Sequence, residues 1–188
     1  MHPEALRGVA WAVRESGLRA GPDQHAEAAL NKPLRCIDVG GADVNGSARR
    51  VVDSGTRRCN TWIGVDIEEG PGVDHVMDCR KPPPDDMRES FDLVLCTEVF
   101  EHVQDWSSIV ITIHELLVPG GVALMTCASM GRRPHGARGA LNPEPGEWYQ
   151  NVPAPDLSHV LSTAGFAGGY VRYNPTPGDA YAWARKAS

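Results

Sequence analysis

The stretch that decides the fold is Leu34-Arg35-Cys36-Ile37-Asp38-Val39-Gly40-Gly41-Ala42-Asp43-Val44-Asn45-Gly46. It begins as an apolar run and then reaches an acid and two glycines, after which residues 47–54 can form a helix. This pattern predicts a buried strand that turns sharply into a helix, the first unit of a doubly wound α/β sheet. Such sheets bind ligands at the carboxyl ends of their strands, so we expect Asp38, Gly40 and Gly41 to face a ligand.

The turn after this strand lacks the glycine fingerprint of dinucleotide-binding proteins. That fingerprint needs glycines at the first, third and sixth positions, where backbone amides approach a pyrophosphate. Counted from Gly40, the third and sixth positions are Ala42 and Asn45, and counted from Gly41 the third is Asp43. The acid would repel a phosphate. The sequence therefore favours a phosphate-free ligand with a positively charged end, and S-adenosylmethionine is such a ligand.

Later segments place acids or glycines at the ends of further predicted strands. They are Trp62-Ile63-Gly64-Val65-Asp66-Ile67, Val76-Met77-Asp78-Cys79, Phe91-Asp92-Leu93-Val94-Leu95-Cys96-Thr97-Glu98 and Leu117-Val118-Pro119-Gly120-Gly121-Val122. With the first stretch they resemble, in order and spacing, the motifs of the class I S-adenosylmethionine-dependent methyltransferases, over residues 34–127. One departure is that the family's usual Gly-x-Gly-x-Gly reads Gly40-Gly41-Ala42-Asp43-Val44 here.

The resemblance implies a Rossmann-like, doubly wound, mostly parallel sheet of seven strands with a C-terminal antiparallel hairpin. A chain of 188 residues suits one domain. Within 1–188 we expect an N-terminal helical segment at 1–33, a cofactor-binding core at 34–127, a substrate lid loop at 128–153 and a C-terminal helix and strands at 154–188. The lid is expected because the segment is rich in glycine and proline and follows the fifth strand.

The resemblance also implies which residues hold the cofactor. Asp38, Gly40, Gly41 and Ala42 would shape the methionine side, Asp66 and Ile67 the ribose, Asp78 and Cys79 the adenine, and Thr97 with Glu98 the region that faces the methyl group. A carboxylate such as Asp66 can accept hydrogen bonds from both ribose hydroxyls at once.

The residues after the fourth predicted strand read Glu98-Val99-Phe100-Glu101-His102-Val103. If a helix begins near Val99, Glu98, Glu101 and His102 share one face. Three roles are open: a structural cap, a general base at Glu101 or His102, and a divalent-cation site formed by Glu98, Glu101 and His102 with His135 from the lid. The Glu-x-x-Glu-His arrangement is similar to that of the metal-dependent methyltransferases of small-RNA 3′ ends and of ubiquinone biosynthesis.

The function predicted is methyl transfer from S-adenosylmethionine to an oxygen or nitrogen of a small molecule or nucleotide-like substrate, with divalent-metal assistance open. Arg132, Arg133 and Arg138 in the lid would suit an anionic acceptor. The alternative is a non-catalytic S-adenosylmethionine-binding or regulatory module. A short-chain dehydrogenase is disfavoured because no tyrosine is followed four residues later by lysine.

Composition bounds the setting of the protein. The formal net charge of -6 argues against nonspecific phosphate binding over the whole surface, although nucleic acid as a partner is left open. The five cysteines show no Cys-x-x-Cys spacing, which favours reduced thiols and a cytoplasmic location. No apolar run is long enough for a membrane span, and the first residues do not read as a secretion signal. His2 is expected to be solvated, and the oligomeric state is open.

Overall fold

A computed structural model describes residues 2–18, 33–44, 46–56 and 59–188. Two expectations lie outside these residues. One is a helical turn at 25–30 with a solvated His25, and the other is a solvated connection at Arg57 and Arg58.

The described elements are four α-helices, one 3₁₀ turn and seven strands. The helices are α1 (Pro3–Glu15), α2 (Arg49–Thr56), α3 (Trp106–Leu116) and α4 (Ala154–Thr163), with a 3₁₀ turn at Phe100–His102. The strands are β1 (Leu34–Val39), β2 (Cys59–Asp66), β3 (His75–Val76), β4 (Phe91–Thr97), β5 (Leu117–Ala128), β6 (Phe166–Asn174) and β7 (Asp179–Lys186). None of the helices in the described ranges combines the length and apolar character that a membrane crossing requires.

The seven strands form one sheet in the order β3-β2-β1-β4-β5-β7-β6. Strands β1 to β5 pair in parallel, whereas β7 runs antiparallel to both β5 and β6. The predicted mostly parallel sheet with a C-terminal antiparallel hairpin is confirmed. Parallel neighbours bring the carboxyl ends of β1, β2 and β4 to one edge, where a ligand crevice is expected.

The sheet is covered on both faces, which explains why β4 is apolar without interruption from Leu93 to Cys96. Leu93 and Leu95 pack in the cluster that includes α1 and α2 side chains, whereas Val94 and Cys96 pack in the cluster that includes those of α3 and α4. Successive side chains of a strand point to opposite faces, so a central strand between two helical layers must be apolar at every position.

Three element boundaries differ from the sequence expectation. The third strand was expected at 73–77 but pairs only over His75–Val76, because it lies at the sheet edge next to a Gly/Pro turn. The fifth strand begins at Leu117 rather than Val122, since Leu117 already pairs with Phe91 before Gly120 and Gly121 shift the register. The helix expected to begin near Val99 is a single 3₁₀ turn.

The prediction that all five cysteines are reduced is wrong. Cys36 and Cys59 form a disulfide that joins β1 to β2, with a Cα–Cα distance of 6.2 Å, a separation that such a bond can span. The pairing depends on the β1–β2 register, which sets Leu34 beside Cys59 and is not visible as a cysteine motif. Cys79, Cys96 and Cys127 are free and buried, as expected.

Candidate active site

The candidate site lies where β1, β2 and β4 end. The register sets Val39 beside Val65 and Cys96, so that Gly40, Asp66 and Glu98 follow their strands at nearly the same level. Three of the predicted cofactor residues, Gly40, Asp66 and Glu98, therefore lie at one edge of the sheet, where a ligand crevice is expected.

The loop after β1 is fixed by Gly40, which has a φ of +74°. A Cβ at this position would lie 2.2 Å from Val99 Cγ2, so only glycine lets the loop pass the segment after β4. The amides of Gly40 and Gly41 both donate to the Val65 carbonyl at 2.9 Å. These two amides are therefore engaged within the protein, and a ligand would meet this loop through its shape.

Asp38 is buried and paired with Arg49. Arg49 Nε donates to Asp38 Oδ2 at 2.8 Å, and Nη2 donates to the carbonyls of Gly72 at 2.8 Å and Gly41 at 3.4 Å. Burial raises the pKa of Asp38 to about 6, although Arg49 opposes the shift. The sequence predicts that Arg49 points outward from the helix after β1. The structure shows that this is wrong, because Arg49 turns to Asp38 and a buried carboxylate needs a charged partner. Asp38 thus helps to fix the glycine loop from beneath.

Asp66 keeps acceptor capacity at the end of β2. Its Oδ2 accepts the Ala42 amide and its Oδ1 the Glu68 amide, each at 3.3 Å. Each carboxylate oxygen has two lone pairs, so the predicted ribose hydroxyls are compatible with these contacts. Ile67 follows with 57% of its surface exposed, so it is accessible to a ligand.

Asp78 and Cys79 border the same edge after β3. Arg80 donates to both Asp78 oxygens, at 2.8 and 2.9 Å, and these hydrogen bonds lower the pKa of Asp78 to about 2. Burial raises the pKa of the Cys79 thiol to about 12, so this sulfur stays protonated. An apolar contact is therefore what Cys79 offers to a ligand.

Glu98 is held in a left-handed backbone conformation, with a φ of +58°. Thr126 Oγ1 donates to Glu98 Oε1 at 2.9 Å, and His2 Nε2 lies 3.1 Å from Oε2. A glutamate in this region of φ/ψ space is strained, and such strain concentrates at functional sites. Thr97, the residue before it, is buried at the end of β4.

The expectation that His2 is solvated is wrong. Its Nε2 lies 2.9 Å from Arg132 Nη1 and 3.4 Å from Asp179 Oδ2, and Arg132 Nη1 donates to Asp179 Oδ1 at 2.7 Å. Helix α1 packs on β7 and β5, and this brings His2, the residue before the helix, to the end of β4. His2, Glu98, Arg132 and Asp179 are called the proximal cluster below.

The proximal cluster contains two buried carboxyl groups. Burial alone would raise the pKa of Glu98, but the hydrogen bonds to His2 and Thr126 and the charge of Arg132 leave it below its usual value. Burial and the Glu98 charge raise the pKa of Asp179, against the effect of Arg132. The cluster therefore favours a charged Glu98 beside an Asp179 that loses its proton less readily.

A second group, the distal cluster, consists of Glu101, His102 and His135. Each offers a ligand atom, and these atoms lie within 4.8 Å of one another. Glu101 Oε1 accepts the Ala128 amide at 3.2 Å. Glu101 Oε2 and His102 Nδ1 are buried and have no hydrogen-bond partner. Unpartnered buried polar atoms are rare, so their presence in this group of potential ligands is consistent with a cation site.

The neutral forms are favoured throughout the distal cluster. Complete burial and the neighbouring Glu98 carboxylate raise the pKa of Glu101 well above its usual value. Burial and the His135 ring lower the pKa of His102 to about 4, and burial also lowers the pKa of His135. Neutral imidazoles are the form that binds metals.

The structure brings together three of the four predicted metal ligands, Glu101, His102 and His135. Glu98 was expected to share a helical face with Glu101 and His102, but the segment forms a 3₁₀ turn that begins only at Phe100. The Glu98 side chain therefore turns to His2 and Thr126 instead. His135 does lie in the group, with its ring centroid 5.1 Å from that of His102.

Of the predicted lid, residues 128–153, Ala128 is the last residue of β5, and residues 129–153 contain no helix or strand. The last residues of the lid are hydrogen-bonded to the site through the backbone. The backbone amide of Gln150 donates to the Glu101 carbonyl at 2.8 Å, and that of Val152 donates to the Ala128 carbonyl at 2.9 Å. The Tyr149 ring packs against His102 and His135, with centroids 5.6 and 5.1 Å apart. The segment thus closes over the distal cluster.

The three arginines of the lid do not come together to form one binding site for an anion. Arg132 is paired with Asp179, and Arg138 is paired with Glu68, the second residue after β2. Arg133 is exposed. The pair of Arg138 and Glu68 connects the lid to the loop beside the predicted ribose site.

Sequence reasoning missed His2, Thr126, Tyr149 and Asp179 as members of the site. Thr126 and Asp179 lie at the end of β5 and the start of β7, which are neighbours only because β7 inserts antiparallel between β5 and β6. Their polar side chains in otherwise apolar strands were the available signal. No pattern in the sequence indicated His2.

A family model described as a methyltransferase domain matches residues 11–168. Among curated proteins, the ubiquinone biosynthesis O-methyltransferase of Pseudomonas syringae pv. tomato is 36% identical over 55 residues, which are 29% of this chain and 24% of that protein. The same enzyme of Pseudomonas paraeruginosa is 33% identical over 60 residues, 32% of this chain and 26% of that protein. The matched stretch thus spans about a quarter of these relatives.

Solved structures share the fold. The 1,6-didemethyltoxoflavin-N1-methyltransferase of Burkholderia thailandensis, with 1,6-didemethyltoxoflavin and S-adenosylhomocysteine bound, has a TM-score of 0.60 and 17% identity, over 98% of this chain and 79% of that one. An S-adenosylmethionine-dependent methyltransferase from Mesorhizobium loti has a TM-score of 0.60 and 19% identity, over 90% of this chain and all of that one. With the family match and the sheet order, these findings show that the chain belongs to the class I S-adenosylmethionine-dependent methyltransferases.

Proposed function

We propose that this S-adenosylmethionine-dependent methyltransferase transfers the methyl group to an oxygen or nitrogen atom of a small-molecule or nucleotide-like acceptor, with the help of a divalent cation in the distal cluster. The matched curated relatives support an oxygen acceptor, since their names describe an O-methyltransferase. The whole chain, residues 1–188, would act as one domain.

The cofactor supplies an activated methyl group, and the chain would position it. Asp66 would accept from the ribose hydroxyls, with Ile67 beside it, and Cys79 with Asp78 would border the adenine. Gly40, Gly41 and Ala42 would follow the methionine side, and Asp38 would hold this loop through Arg49. Methyl transfer is an in-line displacement, so positioning the two reactants is the main task of the protein.

The observation that carries the metal proposal is the distal cluster. Glu101, His102 and His135 bring one carboxylate and two imidazoles within 4.8 Å of one another, and two of their polar atoms are buried without partners. Imidazole and carboxylate ligands together suit first-row divalent metals such as Mn²⁺ and Zn²⁺. A bound cation would lower the pKa of an acceptor hydroxyl or amine.

The same residues define a competing role as a general base. His102 and His135 are both held neutral by burial, and a neutral imidazole can accept the proton that the acceptor loses. The two roles differ in what they require of Glu101, because a ligand must lose its proton whereas a buried structural acid can keep it.

A metal titration of the purified full chain separates the roles. We expect saturable heat on addition of Mn²⁺ to the wild type and none for Glu101→Gln, which keeps the size of the side chain but cannot become anionic. His159→Asn, on the exposed side of α4, serves as the matched control and should bind as the wild type does. Heat that is absent from the wild type, or unchanged in Glu101→Gln, contradicts the metal proposal.

One observation keeps the non-catalytic alternative as a second candidate. The amides of Gly40 and Gly41 are already bonded to Val65, so the glycine loop offers fewer donors than the family pattern implies. Formation of S-adenosylhomocysteine from S-adenosylmethionine with a panel of phenols and amines decides between the two. Cofactor binding without turnover on any acceptor would favour the regulatory module.

A further inference from the structure

The carboxylate of Glu98 is placed by two residues from distant parts of the chain, His2 and Thr126. Its backbone has a φ of +58°, and its amide donates to the Thr126 carbonyl at 2.8 Å. Thr126 Oγ1 holds one carboxylate oxygen at 2.9 Å and His2 Nε2 the other at 3.1 Å. Strain of this kind persists only when the surroundings impose it, so the direction of this side chain is under strong control.

Helix α1 delivers His2 to this position by a close approach to β7. A Cβ on Gly8 would lie 2.3 Å from Tyr181 Cδ1, so the helix rests directly on the tyrosine ring. At the other end of α1, Arg185 Nη2 donates to the Ser16 carbonyl at 2.6 Å. The helix is therefore fixed at two places, and His2, the residue that precedes it, is held beside Glu98.

The charged groups around His2 indicate which contact Glu98 would make in its absence. Arg132 Nη1 lies 2.9 Å from His2 Nε2 and is also bonded to Asp179. The imidazole thus lies among Glu98, Asp179 and Arg132. Without the imidazole, the Glu98 carboxylate would be free to turn to the Arg132 guanidinium, which it would pair with strongly.

We propose that His2 is a positioning residue that keeps the Glu98 carboxylate directed toward the reacting end of the cofactor. This inference rests on the proposed function, because Glu98 follows β4 at the place assigned to the methyl group. A carboxylate held there stabilises the positive sulfonium of S-adenosylmethionine by electrostatic attraction. S-adenosylhomocysteine lacks both the methyl group and that charge, so a Glu98 carboxylate positioned by His2 favours the methylated form.

The test compares the affinities of both cofactor forms by calorimetry. We expect His2→Ala to weaken the affinity for S-adenosylmethionine by roughly tenfold, because one hydrogen bond to a charged group is lost. The affinity for S-adenosylhomocysteine should stay unchanged. His2→Gln, whose amide can still donate to Glu98, should restore most of the preference. Equal weakening of both ligands would mean that His2 only supports the fold, and no weakening would mean that it does not position Glu98.

A double-mutant cycle tests the route through Glu98. Glu98→Gln should remove the preference for S-adenosylmethionine, and adding His2→Ala to it should change nothing further. Additive effects of the two substitutions overturn the proposal. If neither cofactor form binds the wild type, the proposed function is contradicted as well. If both forms bind but the substitutions do not change their relative affinities as predicted, only the role of His2 is contradicted.

Discussion

The two ends of the crevice are built in different ways. At the cofactor end, the acids and glycines lie in short motifs at the ends of neighbouring strands, and Asp38, Asp66 and Asp78 each have a partner in the protein. At the reacting end, side chains from residues 2, 98–102, 126, 132–135, 149 and 179 come together, and buried polar atoms of Glu101 and His102 remain unpaired. Among the described residues, buried polar atoms without a partner occur at both ends, since Asp38 Oδ1 is one of them, but only at the reacting end do they belong to a group of potential metal ligands.

Gly40 joins the two ends, and its substitution has the largest expected effect. Gly40→Ala adds a Cβ 2.2 Å from Val99 Cγ2 at a φ of +74°, which combines overpacking with backbone strain. We expect a loss of about 4 kcal/mol in the free energy of unfolding, measured with urea. Gly17→Ala has the same φ of +74° with no atom within 4 Å, so it should lose only about 1–2 kcal/mol. Equal losses would show that the contact between the ends is unimportant.

The fold could be predicted from the sequence because its information is local. The apolar runs of β1, β2 and β4 and the turn residues after them identify a parallel sheet without knowledge of distant contacts. The weakest elements were mispredicted: β3 is a two-residue edge strand, and the segment after Val99 is too short for a helix. The disulfide of Cys36 and Cys59 depends on strand register, which spacing does not reveal.

The site could be predicted only in part. Glu101 and His102 were found because they are adjacent in sequence after the fourth strand, and His135 because it lies in the predicted lid. His2 is 96 residues from its partner Glu98, and its place depends on how α1 lies on the sheet. Arg49 was assigned to the surface because a helix of eight residues does not show which arginine must neutralise a buried acid.

The pH dependence of stability sharpens the description of the cofactor end. Burial raises the pKa of Asp38 from 3.8 to about 6, so the folded state holds this proton more tightly than the unfolded state does. Its stabilising contribution is present below about pH 4 and is lost as the pH rises through 6, which amounts to about 3 kcal/mol. Asp38→Asn should lack this dependence. Parallel urea-stability curves for the two proteins between pH 4 and 7 would contradict the assignment.

The smallest effect is expected at the surface pair that spans the crevice. Arg138 and Glu68 are 75% and 62% exposed, and pairs of this kind contribute below about 1 kcal/mol. Arg138→Gln should therefore leave the unfolding midpoint nearly unchanged and should mimic the effect of high salt on the wild type. A large loss of stability would show that the lid is a structural part of the fold rather than a cover.

The central claim is that the crevice binds S-adenosylmethionine through its strand-end acids, and calorimetry with S-adenosylhomocysteine on the wild type and Asp66→Ala tests it most directly. We predict saturable binding of one ligand per chain, weakened about 10- to 100-fold in the variant by the loss of hydrogen bonds to a charged group. Equal affinity in the two proteins, or no binding to the wild type at saturating concentrations, would contradict it.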